Sequence, residues 1–225
     1  MSVQDTTTAV VTGAGSGIGR QVAIQLAQRG WRVIAIARSA DTLTELAEQY
    51  PSIEPRPADL TEFTYGGLIP DRVDALVHAA GMSPDVSLEE ATAEDWSYAF
   101  ALNVTAGAEL ARLSLPALRQ TRGTIVFLNS GAGFVEAPRN AIYGATKHAL
   151  RALANTLRTQ VEKDFVRVTS IFPGPVDTPM FTGDVDRTEL IQPETVAHAV
   201  LEAITATDDT QLTEIRVRPR RELSW

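Results

Sequence analysis

Short apolar runs with strand character alternate with helical patterns along the whole chain. The strand runs are Thr8–Thr12, Arg32–Ala37, Ile53–Arg56, Ala75–His78, Thr124–Asn129, Arg167–Phe172 and Glu214–Val217. The helical patterns between them are Gly17–Arg29, Ala40–Gln49, Ala93–Arg119, Tyr143–Asp164 and Pro193–Ala206. This alternation predicts right-handed crossovers and an α/β fold, in which helices cover both faces of one parallel sheet of seven strands.

One connection departs from this pattern. Between Asp59 and Asp74, where a crossover helix is expected, Gly66, Gly67 and Pro70 interrupt the segment. We therefore predict a stub without a full helix. The chain shows no internal repeat and no linker-like tract, so 225 residues predict one domain over residues 1–225.

Composition narrows the class of protein further. A net charge of −8 and an isoelectric point near 4.9 argue against a nucleic-acid binder, and we read the basic run at Arg216, Arg218, Arg220 and Arg221 as a solvated edge. The chain has no cysteine, and His78, His148 and His198 show no ligand spacing, so we expect no metal site. The polar segment Met1–Thr7 and the lack of a long apolar run predict no membrane span and a cytoplasmic protein.

A glycine-rich turn follows the first strand and opens the first helix. Its sequence, Thr12-Gly13-Ala14-Gly15-Ser16-Gly17-Ile18-Gly19, has the form T-G-x-x-x-G-x-G and does not satisfy the general G-x-G-x-x-G fingerprint. A turn at this place lets a dinucleotide pyrophosphate meet the exposed N–H groups of a helix. The predicted cofactor contacts here are Gly13, Ser16, Gly17, Ile18 and Gly19.

The end of the second strand bears on which cofactor is bound. An acidic residue there takes the ribose hydroxyls of NAD, whereas an arginine accommodates the 2′-phosphate of NADP. Here the strand ends in Arg38, with no acid in that place. We therefore predict NADP(H).

Candidate chemistry lies in the second half of the chain. Tyr143 and Lys147 stand four residues apart and share one face of a helix. A phenol titrates near pH 10, and a neighbouring cation is expected to lower the pKa of Tyr143 toward neutrality. Ser130 directly follows a strand, at the sheet edge where such folds hold ligands, so its hydroxyl is placed to hold a substrate oxygen beside Tyr143.

Together these motifs resemble the short-chain dehydrogenase/reductase family in its short single-domain branch. The resemblance extends from Thr8 to about Val217. It rests on Thr12-Gly13 with Gly17 and Gly19, Asp59-Leu60, Ala79-Ala80-Gly81, Asn103, Ser130, Tyr143 with Lys147, and Pro173-Gly174, in that order. It implies a doubly wound Rossmann-type sheet with strand order 3-2-1-4-5-6-7.

The resemblance also implies a role for each matching residue. Tyr143 is the expected general acid and base, Ser130 polarises the substrate oxygen, and Lys147 binds the nicotinamide ribose. Asn103 matches the asparagine that supports a water linked to this lysine. The implied cofactor contacts beyond the glycine-rich turn and Arg38 are Asp59 and Leu60 at the adenine, Ala80 and Gly81 at its ribose, and Pro173, Gly174, Val176 and Thr178 at the nicotinamide.

Two departures from the family pattern stand out. His78-Ala79-Ala80-Gly81 replaces the usual Asn-Asn-Ala-Gly, and we interpret His78 as a satisfied structural residue. Thirteen residues separate Pro179 from Pro193, so the substrate lid should be small. Candidates for an apolar substrate wall are Phe134, Val135, Met180 and Phe181.

The resulting hypothesis is an NADP-dependent carbonyl reductase or alcohol dehydrogenase acting on a small molecule. A narrower alternative is oxidation of a 3-hydroxy acid such as serine, for which Arg139 or Arg187 would supply the cation. A different class remains open, that of a catalytically idle NADP-binding sensor or interaction protein. The resemblance suggests homodimers or homotetramers assembled through the helices at Ala93–Arg119 and Tyr143–Asp164.

Overall fold

A parallel sheet of seven strands organises the chain. The computed structural model describes residues 6–138, 140–183 and 186–221, and Arg139 lies outside them. The strands are β1 (Thr8–Thr12), β2 (Arg32–Ala37), β3 (Ile53–Pro57), β4 (Ala75–His78), β5 (Thr124–Leu128), β6 (Arg167–Pro173) and β7 (Glu214–Val217). They run in the order β3-β2-β1-β4-β5-β6-β7, and every neighbouring pair is parallel, which confirms the predicted fold class and strand order.

Helices fill the connections between the strands. The α-helices are α1 (Gly17–Gln28), α2 (Ala40–Gln49), α3 (Ala93–Phe100), α4 (Ala106–Thr121), α5 (Ala141–Val161) and α6 (Pro193–Ile204). Short 3-10 turns cover Gly131–Gly133, Glu162–Asp164 and Arg187–Glu189. The connection from Asp59 to Asp74 contains no helix, in agreement with the predicted stub.

The helix predicted as one unit over Ala93–Arg119 is interrupted. A π-helical turn at Ala101–Thr105 separates α3 from α4, and the N–H of Ala106 donates to the carbonyl of Ala101 across it. Such turns insert an extra residue without a local sequence signal and are frequent at functional sites. This one contains Asn103, which is fully buried.

Other boundaries differ from the prediction by a few residues. The helix predicted over Tyr143–Asp164 starts at Ala141, because the Asn140 side chain caps it, and its last turn is a separate 3-10 turn. The strand predicted over Thr124–Asn129 ends one residue earlier, at Leu128; the N–H of Asn129 still donates to the Ile171 carbonyl, but the N–H of Ser130 turns to the Asn129 side chain. Strand β6 extends to Pro173, because its carboxyl end still pairs with β7.

Apolar side chains cover both faces of the sheet. On one face, Val11 and Val33 pack with α1, α2 and α6, and on the other, Val10 and Ile34 pack with α4 and α5. Parallel strands buried on both faces carry apolar residues at successive positions, which explains the continuous apolar runs in the sequence. None of the helices in the described part of the chain is long and apolar enough to cross a membrane.

Candidate active site

The predicted site residues follow the carboxyl ends of the parallel strands, which meet at one edge of the sheet. The glycine-rich turn follows β1, Arg38 follows β2, Asp59 follows β3, Gly81 follows β4 and Ser130 follows β5. Ligands of open α/β sheets bind at this edge. The strand order therefore brings together residues that lie far apart in the sequence.

The glycine-rich turn depends on the absence of side chains at two positions. Gly13 has a φ of 66°, and a Cβ there would lie 2.8 Å from the backbone nitrogen of Ala80. A Cβ at Gly19 would overlap the carbonyl oxygen of Gly13. The first turn of α1 thus lies directly against β1 and the loop after β4.

The amino end of α1 has no side-chain cap. Ser16 occupies the N-cap position, but its side chain accepts no hydrogen bond from the helix. Ser39 and Thr92 do cap α2 and α3. The first N–H groups of α1 are therefore available for an anion, as the prediction of a pyrophosphate site requires.

Thr12 connects the glycine-rich turn to the loop after β4. Its hydroxyl oxygen accepts the N–H groups of Ala79 at 3.1 Å and Ala80 at 3.0 Å, and it lies 3.1 Å from Nδ1 of His78. Two accepted bonds use both lone pairs of the hydroxyl, so its proton must go to Nδ1 of His78. His78 is therefore neutral, with its proton on Nε2.

We expected His78 to be a structural residue whose polar atoms are hydrogen-bonded, and this holds for Nδ1 but not for Nε2. Burial, aided by the charge of Lys147, lowers the pKa of His78 to about 4. The Leu102 carbonyl in the π-helical turn opposes that shift, but Nε2 forms no hydrogen bond of ordinary geometry among the described residues. Replacing the usual asparagine by histidine thus leaves one buried donor without a full partner.

Ser130 and Tyr143 lie together at the centre of the edge. The Ser130 hydroxyl lies near enough to the Tyr143 hydroxyl to favour its phenolate, and the Ser130 oxygen accepts the N–H of Ala132 at 3.2 Å. Burial raises the pKa of Tyr143, and the Ser130 hydroxyl opposes the rise. The structure places these two predicted residues side by side.

Lys147 lies one turn below Tyr143 on α5 and is buried. Its ammonium donates to the Leu128 carbonyl at 2.9 Å and lies 5.5 Å from the centre of the Tyr143 ring. Burial lowers the pKa of Lys147 to about 8. The expectation that Lys147 lowers the pKa of Tyr143 is not met within the protein alone, because desolvation outweighs a cation at this distance.

Asn103 uses its side chain to hold the segment after β4. Its Oδ1 accepts the N–H of Met82 at 2.8 Å, and its Nδ2 donates to the Met82 carbonyl at 2.9 Å and to Oγ1 of Thr146 at 3.0 Å. The side chain makes no hydrogen bond with Lys147. Asn103 also lies close to Gly81: a Cβ added to Gly81 would be 3.2 Å from Oδ1 of Asn103.

Arg38 lies at the far end of the site, next to α3 and the loop after β3. One guanidinium nitrogen donates to the Tyr98 hydroxyl at 3.3 Å. Hydrogen bonds from Thr61, with a smaller contribution from the charge of Arg38, lower the pKa of Asp59. Leu60 beside it is buried. The partner Tyr98 was not foreseen, since nothing in the sequence relates α3 to the end of β2.

The loop after β6 closes over the glycine-rich turn. A Cβ added to Gly17 would lie 3.1 Å from the methyl group of Thr178. Val176 forms a parallel bridge with Ile191, and Gly174 donates to the Val217 carbonyl at 2.8 Å. The predicted contacts Pro173, Gly174, Val176 and Thr178 therefore line one side of the same edge.

Of the four candidates for a substrate wall, Phe134 does not fit. Its ring packs on Phe172 with centres 4.2 Å apart, and the guanidinium groups of Arg151 and Arg216 lie 3.8 and 3.7 Å from its centre. Arg216 therefore packs on an aromatic ring, in place of the purely solvated edge that we predicted. Val135 and Met180 remain 58% and 44% exposed, as an apolar wall requires.

Asn140 is a residue that the sequence interpretation missed. It precedes α5 and caps the helix through Oδ1, which accepts the N–H of Tyr143 at 2.9 Å. An asparagine three residues before a helical tyrosine is an N-cap signal that the sequence does contain. Its contacts with the segment after β4 have no such signal.

A separate groove of about 720 Å³ lies between α4 and the stub after β3, lined by residues such as Phe63, Pro70 and Leu113. It shares no residue with the predicted site. The chemistry described above is therefore confined to the sheet edge.

Known proteins show the same sequence pattern and fold. A family model described as short chain dehydrogenase matches residues 7–189. An uncharacterised oxidoreductase of Staphylococcus epidermidis is 33% identical over 223 residues, covering 94% of this chain and 96% of that protein.

Solved structures give the same result. A short-chain dehydrogenase from Sphingobium yanoikuyae in complex with NADPH has a TM-score of 0.83 at 26% identity, covering 93% of this chain and 87% of that one. A serine dehydrogenase complexed with NADP+ has a TM-score of 0.83 at 26% identity, covering 94% of each chain. The family model spans well over half of the sequence, and the chain therefore belongs to the short-chain dehydrogenase/reductase family of oxidoreductases.

Proposed function

We propose that this oxidoreductase interconverts an alcohol and a carbonyl with NADP(H), and that Tyr143 moves the proton. The observation that supports this most is the neighbouring pair of Ser130 and Tyr143 hydroxyl groups, one helical turn from the buried Lys147. A carbonyl oxygen that accepts from both hydroxyl groups would be held and polarised at the point where Tyr143 can donate its proton.

The protonation states favour the direction of reduction. Because burial raises the pKa of Tyr143, its phenol keeps the proton at neutral pH and can give it to a carbonyl oxygen. Oxidation of an alcohol needs the reverse transfer, to a phenolate that forms only at higher pH. Lys147, whose pKa is about 8, still carries its charge at pH 7 and favours that phenolate.

The residues present fit a dinucleotide. A turn that a Cβ would fill, an uncapped helix end and a buried ammonium with one hydrogen-bond acceptor provide space and donors for phosphates and ribose hydroxyls. We assign the contacts as the resemblance implies: pyrophosphate to Gly13, Ser16, Gly17, Ile18 and Gly19; 2′-phosphate to Arg38; adenosine to Asp59, Leu60, Ala80 and Gly81; nicotinamide riboside to Tyr143, Lys147, Pro173, Gly174, Val176 and Thr178. Bound NADPH supplies the hydride.

Replacement of Tyr143 tests the chemistry. A panel of aldehydes, ketones and β-keto esters is screened by NADPH absorbance, and Tyr143→Phe should then lower kcat by about 10³-fold on any substrate found. Tyr50→Phe, the same change at the end of α2, is the matched control. If Tyr143→Phe retains full turnover, the mechanism is wrong. If the wild-type protein binds NADPH but turns over nothing, the idle sensor is the better description.

The choice of NADP over NAD rests on Arg38 and on the NADPH and NADP+ in the two solved relatives. Arg38→Ala should raise the KM for NADPH about 30-fold, because a charge-assisted pair with phosphate is lost, and leave the KM for NADH unchanged. Arg29→Ala, an exposed arginine at the opposite end of β2, is the control. A wild-type preference for NADH would contradict the assignment.

Oxidation of a 3-hydroxy acid is less well supported. Arg187, the described cation near the lid, already pairs with Asp177 and contacts the Phe181 carbonyl at 3.4 Å. A carboxylate substrate would have to compete with Asp177 for it. Unchanged activity in Arg139→Ala and Arg187→Ala variants would argue further against this substrate class.

We further propose homodimers or homotetramers that assemble through α3–α4 and α5, on the basis of the family resemblance. Light scattering coupled to size-exclusion chromatography measures this directly. A monomeric mass would refute it.

A further inference from the structure

Asn140 connects the start of α5, which carries Tyr143, with the segment after β4. Its side-chain oxygen accepts the N–H of Tyr143 at 2.9 Å, and its backbone oxygen accepts the N–H of Gly144 at 3.0 Å. Its amide nitrogen points the other way and donates to the Ser83 hydroxyl at 3.0 Å and to the Pro84 carbonyl. One side chain thus joins the start of α5 to the segment after β4.

That segment, Met82–Pro84, is irregular backbone. Such segments move unless their polar groups are bonded to rigid elements. Asn103 holds both backbone groups of Met82 from the side of the π-helical turn. Asn140 holds the other end, so two amide side chains anchor three residues.

The residue type at position 140 indicates a role beyond helix capping. Asparagine, aspartate and serine cap helices about equally well, because capping needs only an acceptor. Asparagine alone among them also has two N–H donors, and here both meet an acceptor. A residue selected only for capping has no use for these donors.

We infer that Asn140 is a positioning residue that holds Met82–Pro84 against the start of α5 and thereby sets the width of the substrate entrance. The inference rests on the proposed function for its effect on catalysis, but the tether itself can be measured without substrate. The catalytic hydroxyl of Tyr143 lies on the same helical turn that Asn140 caps. Loosening the tether therefore changes the surroundings of Tyr143 without removing a reacting group.

Three variants separate capping from tethering. Asn140→Ser keeps the cap and removes both contacts with the segment, Asn140→Ala removes the cap as well, and Ser83→Ala removes one acceptor from the other side. Asn155→Ser makes the same chemical change about 22 Å further along α5. Only the first three should alter the substrate entrance.

Steady-state kinetics on a carbonyl substrate from the panel give the first readout. Asn140→Ser should raise the substrate KM about fivefold with kcat within twofold and the KM for NADPH unchanged, because a mobile wall must be ordered at each binding event. Asn140→Ala should also lower kcat, since the turn that carries Tyr143 loses its cap. If Asn140 had only a structural role, its replacement would change the melting temperature but would not raise the substrate KM while kcat stays the same. A wild-type substrate KM in Asn140→Ser overturns the inference.

Amide hydrogen exchange gives a readout independent of turnover. The N–H of Met82, which donates to Asn103, should exchange about tenfold faster in Asn140→Ser than in Asn155→Ser or wild type, because the segment moves once its other anchor is lost. Unchanged exchange refutes the tether, whatever the activity. Faster exchange in a protein that reduces no carbonyl supports the tether and refutes both its catalytic effect and the proposed function.

Discussion

Two helices, α1 and α5, begin near the edge of the sheet where the strands end, and only α5 has a side-chain cap on its first turn. At α1 the N-cap residue Ser16 makes no hydrogen bond to the helix, so the terminal N–H groups stay free. At α5 the N-cap residue Asn140 accepts from Tyr143, and each polar group of its side chain has a partner. An open helix end suits an anion that comes and goes, whereas a closed one suits a side chain that must keep its place.

The uncapped start of α1 packs closely against the glycine-rich turn, and one added methyl group at Gly19 should disrupt this packing. In Gly19→Ala the new Cβ would overlap the Gly13 carbonyl and push the turn off β1. We expect the Kd for NADPH, measured by fluorescence, to rise about 100-fold, with a lower melting temperature from overpacking. Gly66→Ala, in a stub where a Cβ meets nothing, is the control. Normal NADPH affinity in Gly19→Ala would show that the turn does not contact the cofactor.

The second prediction converts the open end into a closed one. Ser16→Asp should cap α1 and add a carboxylate where a pyrophosphate is expected. The melting temperature should increase, while the Kd for NADPH increases about 30-fold through competition and charge repulsion. Ser16→Asn caps without the charge and should have a smaller effect. Unchanged affinity in both variants would mean that the start of α1 binds no phosphate.

Lys147, further along α5, destabilises the folded protein because its ammonium group is buried. Its pKa is depressed from 10.5 to about 8 by burial, so the folded state binds the proton more weakly than the unfolded state does. Above pH 10.5 Lys147 is neutral in both states and carries no penalty, so the full stability of the fold is present there. That stability is lost as the pH falls through 8, where the buried lysine must take up its proton. At pH 7 the cost is on the order of 3 kcal/mol.

Lys147→Met should remove that cost together with activity. We expect a higher melting temperature at pH 7, and a gain that shrinks as the pH approaches 10.5. Lys163→Met, the same change at an exposed lysine, should show neither effect. Thermal unfolding monitored by circular dichroism at several pH values makes the comparison, and a destabilised Lys147→Met at pH 7 would contradict it.

The fold was largely predictable because its signals are local and repeat along the chain. The central strands β1, β2, β4, β5 and β6 are largely apolar runs, and the interrupted stub after Asp59 follows from its glycines and proline. The π-helical turn at Asn103 was missed, because an inserted residue leaves the apolar pattern of a helix almost intact. Helix ends were missed by a few residues where side chains from other elements decide them, as Asn140 does for α5.

The chain order of the site was determined by the sequence alone. A turn at Gly13, an arginine at position 38, Ser130 after β5 and the pair of Tyr143 and Lys147 are readable without coordinates, because parallel strands place their carboxyl ends at one edge. These residue types also predict phosphate binding and proton transfer. None of that depends on how side chains pack.

Tertiary structure decided what each side chain experiences. Burial raises the pKa of Tyr143 against the expectation from Lys147 alone, and two guanidinium groups hold Phe134 away from the substrate wall. Asn140 reaches Ser83, which lies 57 residues away in sequence. Desolvation and long-range contacts depend on which atoms meet in space, and the spacing of residues along the chain carries no record of that.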